Sequence, residues 1–209
     1  MNAQTARLTV PGPAGNLECA RDVPLAASLG TAVICHPHPL HGGTLDNKVV
    51  QTLARALVQL GWSSVRFNFR GVGASQGQWD EGRGEVDDAM AVIGALRDPT
   101  LPLLLGGFSF GAWIAAEAAQ RLGADAKAMR LVMIAPSTQE QTVPAVPADT
   151  VVIHGEEDEV VPLAATLAWA RPQALPVIVF PGVGHFFHGQ LALLKSVLLR
   201  QLRPISNPA

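Results

Sequence analysis

The sequence predicts an α/β chain: a mostly parallel, doubly wound sheet of about seven to eight strands with helices on both faces. Three observations point there. Short apolar runs alternate with helical patterns along the chain. Apolar residues make up 48% and charged residues only 15%, as expected where strands are buried on both sides. Glycine-rich turns follow several apolar runs, and in such sheets ligands bind at the carboxyl ends of the strands. With 209 residues and no break in composition, the chain is expected to be a single domain over 1–209.

The elements follow in order. "LTV" (8–10) and "LECARDV" (17–23) suit an opening antiparallel hairpin, with turn residues in "PGPAGN" between them. "TAVIC" (31–35) reads as a buried strand. Asp46 and Asn47 can cap a helix running to about Leu60, with Val49, Val50, Leu53, Ala54, Leu57 and Leu60 on one stripe and Gly61 as its stop. "SVRFNF" (64–69) is the next strand, "GVGASQGQ" a loop, and a helix is expected from about Asp80 to Arg97. "PLLLGGF" (102–108) is a strand feeding a helix that starts at Ser109 and stops near Leu122–Gly123. "LVMIAP" (131–136), "TVVIHG" (150–155) and "PVIVFPG" (176–182) are three more strands. Helices are expected at about 162–170 and 190–202.

Composition excludes some partners. The net charge is −2 and Arg66 and Arg70 stand alone, so nothing steers the chain toward nucleic acid or an anionic membrane. The uncharged stretch between Asp98 and Glu117 contains Pro99, Pro102, Gly106, Gly107 and Gly111 and reads as strand plus helix, not as a membrane span. The amino end lacks a basic segment followed by an apolar one, so no secretory signal is expected. Cys19 and Cys35 fit neither a disulfide framework nor a zinc site; reduced thiols in a cytoplasmic protein are expected. Self-association into a homodimer is left open.

Four strand ends carry chemistry. "GGFSFGA" puts Ser109 between Gly107 and Gly111 at a strand-to-helix turn. The glycines let strand and helix pass closely, and the helix amino end offers N–H groups to a developing anion. "EEDEVVP" offers Glu156, Glu157, Asp158 and Glu159, any of which could orient a histidine. "PGVGHFFHG" offers His185, in a glycine-rich loop, with His188 as the alternative. "CHPHPLHGG" (35–43) would supply a second N–H donor beside that of Phe110; Pro37 and Pro39 have none, which leaves His38 or Leu40. Ser, acid, His is the chain order of the serine hydrolases built on this strand pattern. His36, His38 and His41 also spell His-x-His-x-x-His, a metal-ligand pattern, but Leu40 stands where a water-activating Asp would be needed.

"HPHPLHGGTLDNKVV", "RFNFRGVGASQG", "GGFSFGA", "HGEEDEVVP" and "GVGHFFHG" together resemble the α/β-hydrolase superfamily, and within it small bacterial serine hydrolases related to dienelactone hydrolases. The resemblance covers the chain end to end and implies Asp158 as the acid, because it matches the Asp of the "HGxxDxxVP" pattern. Dienelactone hydrolases carry Cys where this chain has Ser109, which shifts the expectation toward ordinary esters.

The expected function is hydrolysis of a small-molecule carboxylic ester, or a thioester, through Ser109, Asp158 and His185, with no cofactor and no metal. The segment 137–149 is too short for a helical lid. An open cleft lined by Leu40, Phe110, Trp113 and Phe186 is therefore expected, suited to short or accessible acyl groups; Trp113 could equally belong to the core. The rival expectation is a non-catalytic module that binds a small ligand in the same cleft.

Overall fold

The computed structural model describes residues 5–122 and 128–203. Eight strands form one sheet: β1 (Ala6–Gly12), β2 (Gly15–Asp22), β3 (Thr31–Cys35), β4 (Ser63–Phe67), β5 (Leu103–Phe108), β6 (Arg130–Ile134), β7 (Val151–Gly155) and β8 (Val177–Phe180). Their spatial order is β1-β2-β4-β3-β5-β6-β7-β8. The first hairpin pairs antiparallel with itself and with β4, and every later pairing is parallel. Among the described residues, five α-helices accompany the sheet: α1 (Lys48–Gln59), α2 (Arg83–Leu96), α3 (Phe110–Arg121), α4 (Leu163–Ala170) and α5 (Leu191–Gln201).

The central strands β3 to β7 are buried on both faces because their side chains alternate between two cores, whereas the edge strands β1 and β8 are largely exposed or half-buried. Val33, Cys35, Val65, Phe67, Leu103 and Leu105 point to one, with Val86, Ala89, Ile114 and Ala115 of α2 and α3. Ala32, Ile34, Leu104 and Phe108 point to the other, with Leu53 and Leu57 of α1 and Leu194 and Leu198 of α5. The expected doubly wound architecture is thus present. The uncharged stretch 99–116 divides into β5 and the first half of α3, and no described helix is long and apolar enough to cross a membrane.

Local chemistry sets the element ends. Asn47, not Asp46, caps α1, its side-chain oxygen accepting the Val49 and Val50 N–H groups; such a cap contributes about 1 kcal/mol. Helix α2 begins at Arg83, later than the sequence suggests. The Glu85 carboxylate accepts the N–H groups of Asp80 and Gly82, and positive φ at Glu81 and Gly82 turns the chain before the helix can start. Gly123, the expected stop of α3, lies outside the described residues.

The strand order places the site. β3 lies between β4 and β5, and the helices leaving it and leaving β5 cover opposite faces. The crevice at such a reversal opens at the carboxyl ends of β3 and β5. These are the ends followed by the 36–43 loop and by Ser109.

Candidate active site

Ser109 is the first residue past β5, and its backbone sits at φ 55 and ψ −119. This is a costly conformation for a side chain other than glycine. It persists because the neighbours over-determine it. The Ser109 N–H donates to the Ile134 carbonyl at 2.9 Å, and the Ser109 carbonyl accepts from Ala112 at 3.0 Å and Ser137 at 3.3 Å. Both flanking glycines are explained by contact. A Cβ on Gly107 would lie 2.1 Å from the Gly111 carbonyl oxygen, and one on Gly111 would lie 2.3 Å from that of Cys35. The first approach is the strand–helix crossing expected from the sequence. The second brings the start of α3 against the end of β3, at the carbonyls of Cys35 and His36.

The candidate acid and base arrive from β7 and β8, whose loops are tied by backbone. Glu156 N–H donates to the Phe180 carbonyl and Glu157 N–H to that of Val183, each at 3.0 Å. Of the four acidic candidates Asp158 alone is buried, at 5% exposure. Its Oδ1 accepts the N–H groups of Val160 at 2.9 Å and Val161 at 2.7 Å. Its Oδ2 lies 2.7 Å from His185 Nδ1. Burial pushes this carboxyl up, but the His185 ring and the Val161 N–H outweigh it and hold the carboxyl below the usual carboxylate range. Glu156 has its own task, accepting the Gly182 N–H at 2.9 Å at the start of the histidine loop.

The His185 ring packs on Phe108, the residue before the serine, with centroids 4.8 Å apart. His188 packs against Phe186, with ring centroids 5.7 Å apart. Among the described residues no hydrogen bond joins the Ser109 hydroxyl to His185. Nucleophile–base contacts of this kind are often looser without substrate and tighten when it binds.

The 36–43 loop settles which amides are spare. Leu40 N–H donates to His38 Nδ1 at 3.2 Å, and His41 and Gly43 donate to the His38 carbonyl. Leu40 is thereby removed as a free donor. Among the described residues, the N–H groups of His38 and Phe110 have no protein acceptor, and their rings lie 5.1 Å apart. His36 is fully buried and braces the loop: its Nδ1 lies 2.6 Å from the Pro37 carbonyl, and its Nε2 accepts the Phe69 N–H at 3.1 Å. Both ring nitrogens are spent inside the protein, so His36 cannot join His38 and His41 around a metal; the latter two stack on each other at 4.4 Å.

Leu40, 66% exposed, and Phe186, 45% exposed, stand on the open rim. Trp113 sits behind Phe110, its ring over Gly82 and its Nε1 donating to Glu117 at 3.0 Å, as part of the packing between α2 and α3. Trp79 was not singled out from the sequence, yet it packs on both His38, at 4.6 Å, and Phe110, at 5.2 Å. His154, on β7, also borders the acid: its Nε2 lies 3.3 Å from Asp158 Oδ2. Between β6 and β7, all of residues 135–150 is described and contains no helix, so nothing roofs the cleft from that side.

A serine held in a strained strand-to-helix turn, on this sheet, defines the class: an α/β hydrolase. The family model described as serine aminopeptidase, S33, matches residues 38–148. An α/β serine hydrolase without lid from Xanthomonas campestris is 39% identical, with a TM-score of 0.89 over 100% of this chain and 99% of that one. An α/β serine hydrolase homologue from Coxiella burnetii is 40% identical, with a TM-score of 0.85 over 94% of this chain and 97% of that one. An uncharacterized protein of Rickettsia prowazekii is 43% identical over 113 residues, which is 53% of this chain and 48% of that relative, so the match spans about half of it. The chain belongs to the α/β-hydrolase superfamily, among its serine hydrolases.

Proposed function

We propose that this protein is a serine esterase, acting on carboxylic esters, and on thioesters of similar shape, whose acyl groups are short or accessible. The observation that carries the reading is the buried pair of His185 and Asp158, 2.7 Å apart, beside a serine in a strained turn. Ser109 Oγ attacks the carbonyl carbon and its proton passes to His185 Nε2. The negative oxygen is taken by the N–H groups of Phe110 and His38. The intermediate collapses, the alcohol or thiol leaves with the proton from His185, and an acyl-enzyme remains. Water, deprotonated by His185, attacks the acyl carbon; the acid departs and Ser109 recovers its proton. Asp158 orients His185 and stabilises its imidazolium form. The reaction balances without a cofactor. The small-molecule ester enters past Leu40 and Phe186, beside the rings of Trp79 and His38, while the Phe110 side chain, expected from the sequence to line the cleft, is buried behind them at 1% exposure. The unpaired buried thiols of Cys19 and Cys35 support a cytoplasmic setting.

A fluorophosphonate probe tests the assignment. It should label the wild type and not Ser109→Ala, and the same substitution should abolish cleavage of p-nitrophenyl acetate. Well-folded wild type that takes no label would turn the reading toward the non-catalytic ligand-binding module. An aminoacyl anilide cleaved faster than any ester would overturn the ester assignment in favour of a peptidase.

A further inference from the structure

A second histidine borders the acid. His154 stands on β7, is fully buried, and has no part in the chemistry above. Its Nε2 lies 2.8 Å from the Val161 carbonyl oxygen and 3.3 Å from Asp158 Oδ2. Both neighbours are acceptors, so the ring proton is on Nε2. Its Nδ1 is buried and has no hydrogen-bond partner among the described residues. A leucine in this place would avoid that unpaired atom, and an unpaired buried polar atom is tolerated where it has a task.

The task follows from the bonds. Val161 is held through both of its backbone groups. Its N–H donates to Asp158 Oδ1 at 2.7 Å and its carbonyl accepts from His154 at 2.8 Å. Oδ1 is thus tied to the backbone, and Oδ2 is left between two imidazole N–H edges. We propose that His154 is a positioning residue for the acid, holding the 158–161 turn so that Asp158 keeps one oxygen aimed at His185 Nδ1. Burial lowers the His154 pKa, and although the Val161 carbonyl and Asp158 pull the other way, the net direction is down. The ring therefore stays neutral and does not compete with His185 for the carboxylate as a second cation.

The inference rests on the serine-esterase reading, and its test separates the two. Turnover of p-nitrophenyl acetate is measured per reactive serine, counted by fluorophosphonate titration, so that misfolded molecules drop out. His154→Phe, which keeps a ring and removes the donor, should lower kcat by up to about a hundredfold with KM little changed. His154→Gln, which can return an N–H near the Nε2 position, should recover most of that loss, and His154→Asn, one methylene shorter, should not. Equal kcat per labelled serine in wild type and His154→Phe would overturn the positioning role while Ser109→Ala still reports on the esterase reading. If His154→Phe does not fold, the Gln–Asn pair carries the comparison, with equal rates overturning the role. Imidazole nitrogen NMR of the wild type is an independent check: a proton on Nε2 of His154 at neutral pH is expected, and one on Nδ1 would refute the bond to Val161.

Discussion

At the scale of single residues, the proposed oxyanion donors are backbone groups, and their neighbours decide which are free. Leu40 loses its N–H to the His38 ring, so of the expected donors those of His38 and Phe110 remain. His38 has φ −51, which proline accepts without strain. His38→Pro should therefore fit the loop and remove the donor, lowering kcat on the order of 10²–10³. His38→Ala keeps the N–H and is the control for loss of the ring. Equal losses in the two variants would assign the effect to the side chain.

His36 supplies a second prediction of this kind. Burial lowers its pKa from 6.5 to about 4, against the opposing pull of the Pro37 carbonyl. Between those values the unfolded chain binds a proton that the folded chain refuses. The stability tied to His36 is thus fully present above pH 6.5 and is lost as pH falls toward 4, by at most about 1.4 kcal/mol per pH unit. His154, also lowered, acts in the same direction. Denaturant midpoints measured from neutral pH downward should fall in this window, and His36→Asn should start lower and show a shallower slope. A wild-type midpoint that stays flat across the window would contradict a neutral buried ring.

At the scale of elements, the turn from β5 into α3 is built on two missing side chains. Gly111→Ala would press its Cβ to 2.3 Å from the Cys35 carbonyl oxygen, where only backbone can yield. The expected cost is about 1–3 kcal/mol, and activity should fall further than stability, because the movement displaces the turn carrying Ser109. Thermal melts and rates per labelled serine would show it. An unchanged melting temperature would mean that helix and loop can shift without cost.

The strands and helices themselves were legible in the sequence, since buried parallel strands read as short β-branched runs and every site loop follows one. "TAVIC" is β3 residue for residue. The start of α2 was not, because it depends on Glu85 reaching back to two amides. Trp79 and His154 were missed for a different reason. Trp79 meets His38 and Phe110 only after three segments converge, and no local pattern marks it. His154 lies among strand residues, where alternation gives its face but not its neighbour. The bond from the Leu40 N–H to the His38 ring lies inside the loop, and composition does not reveal it.

At the scale of the molecule, the short 135–150 connection leaves the cleft without a roof. Substrate is then gripped near the scissile bond and along little else. Across a series of p-nitrophenyl esters of rising acyl length, kcat/KM should be greatest for short chains and should not jump when substrate passes from solution to aggregates. A sharp optimum at long chains would contradict the open cleft. The end of the same sheet that frames this cleft leads into the strained turn at Ser109. The Ser109 amide is hydrogen-bonded across to β6, whereas those of His38 and Phe110 point at no protein acceptor. In deuterated solvent, the amide of Ser109 should be among the last to exchange, and the other two among the first. The centre would then combine the slowest and the fastest protons of the backbone within adjoining residues, with a rigid nucleophile set beside two donors left open to whatever enters.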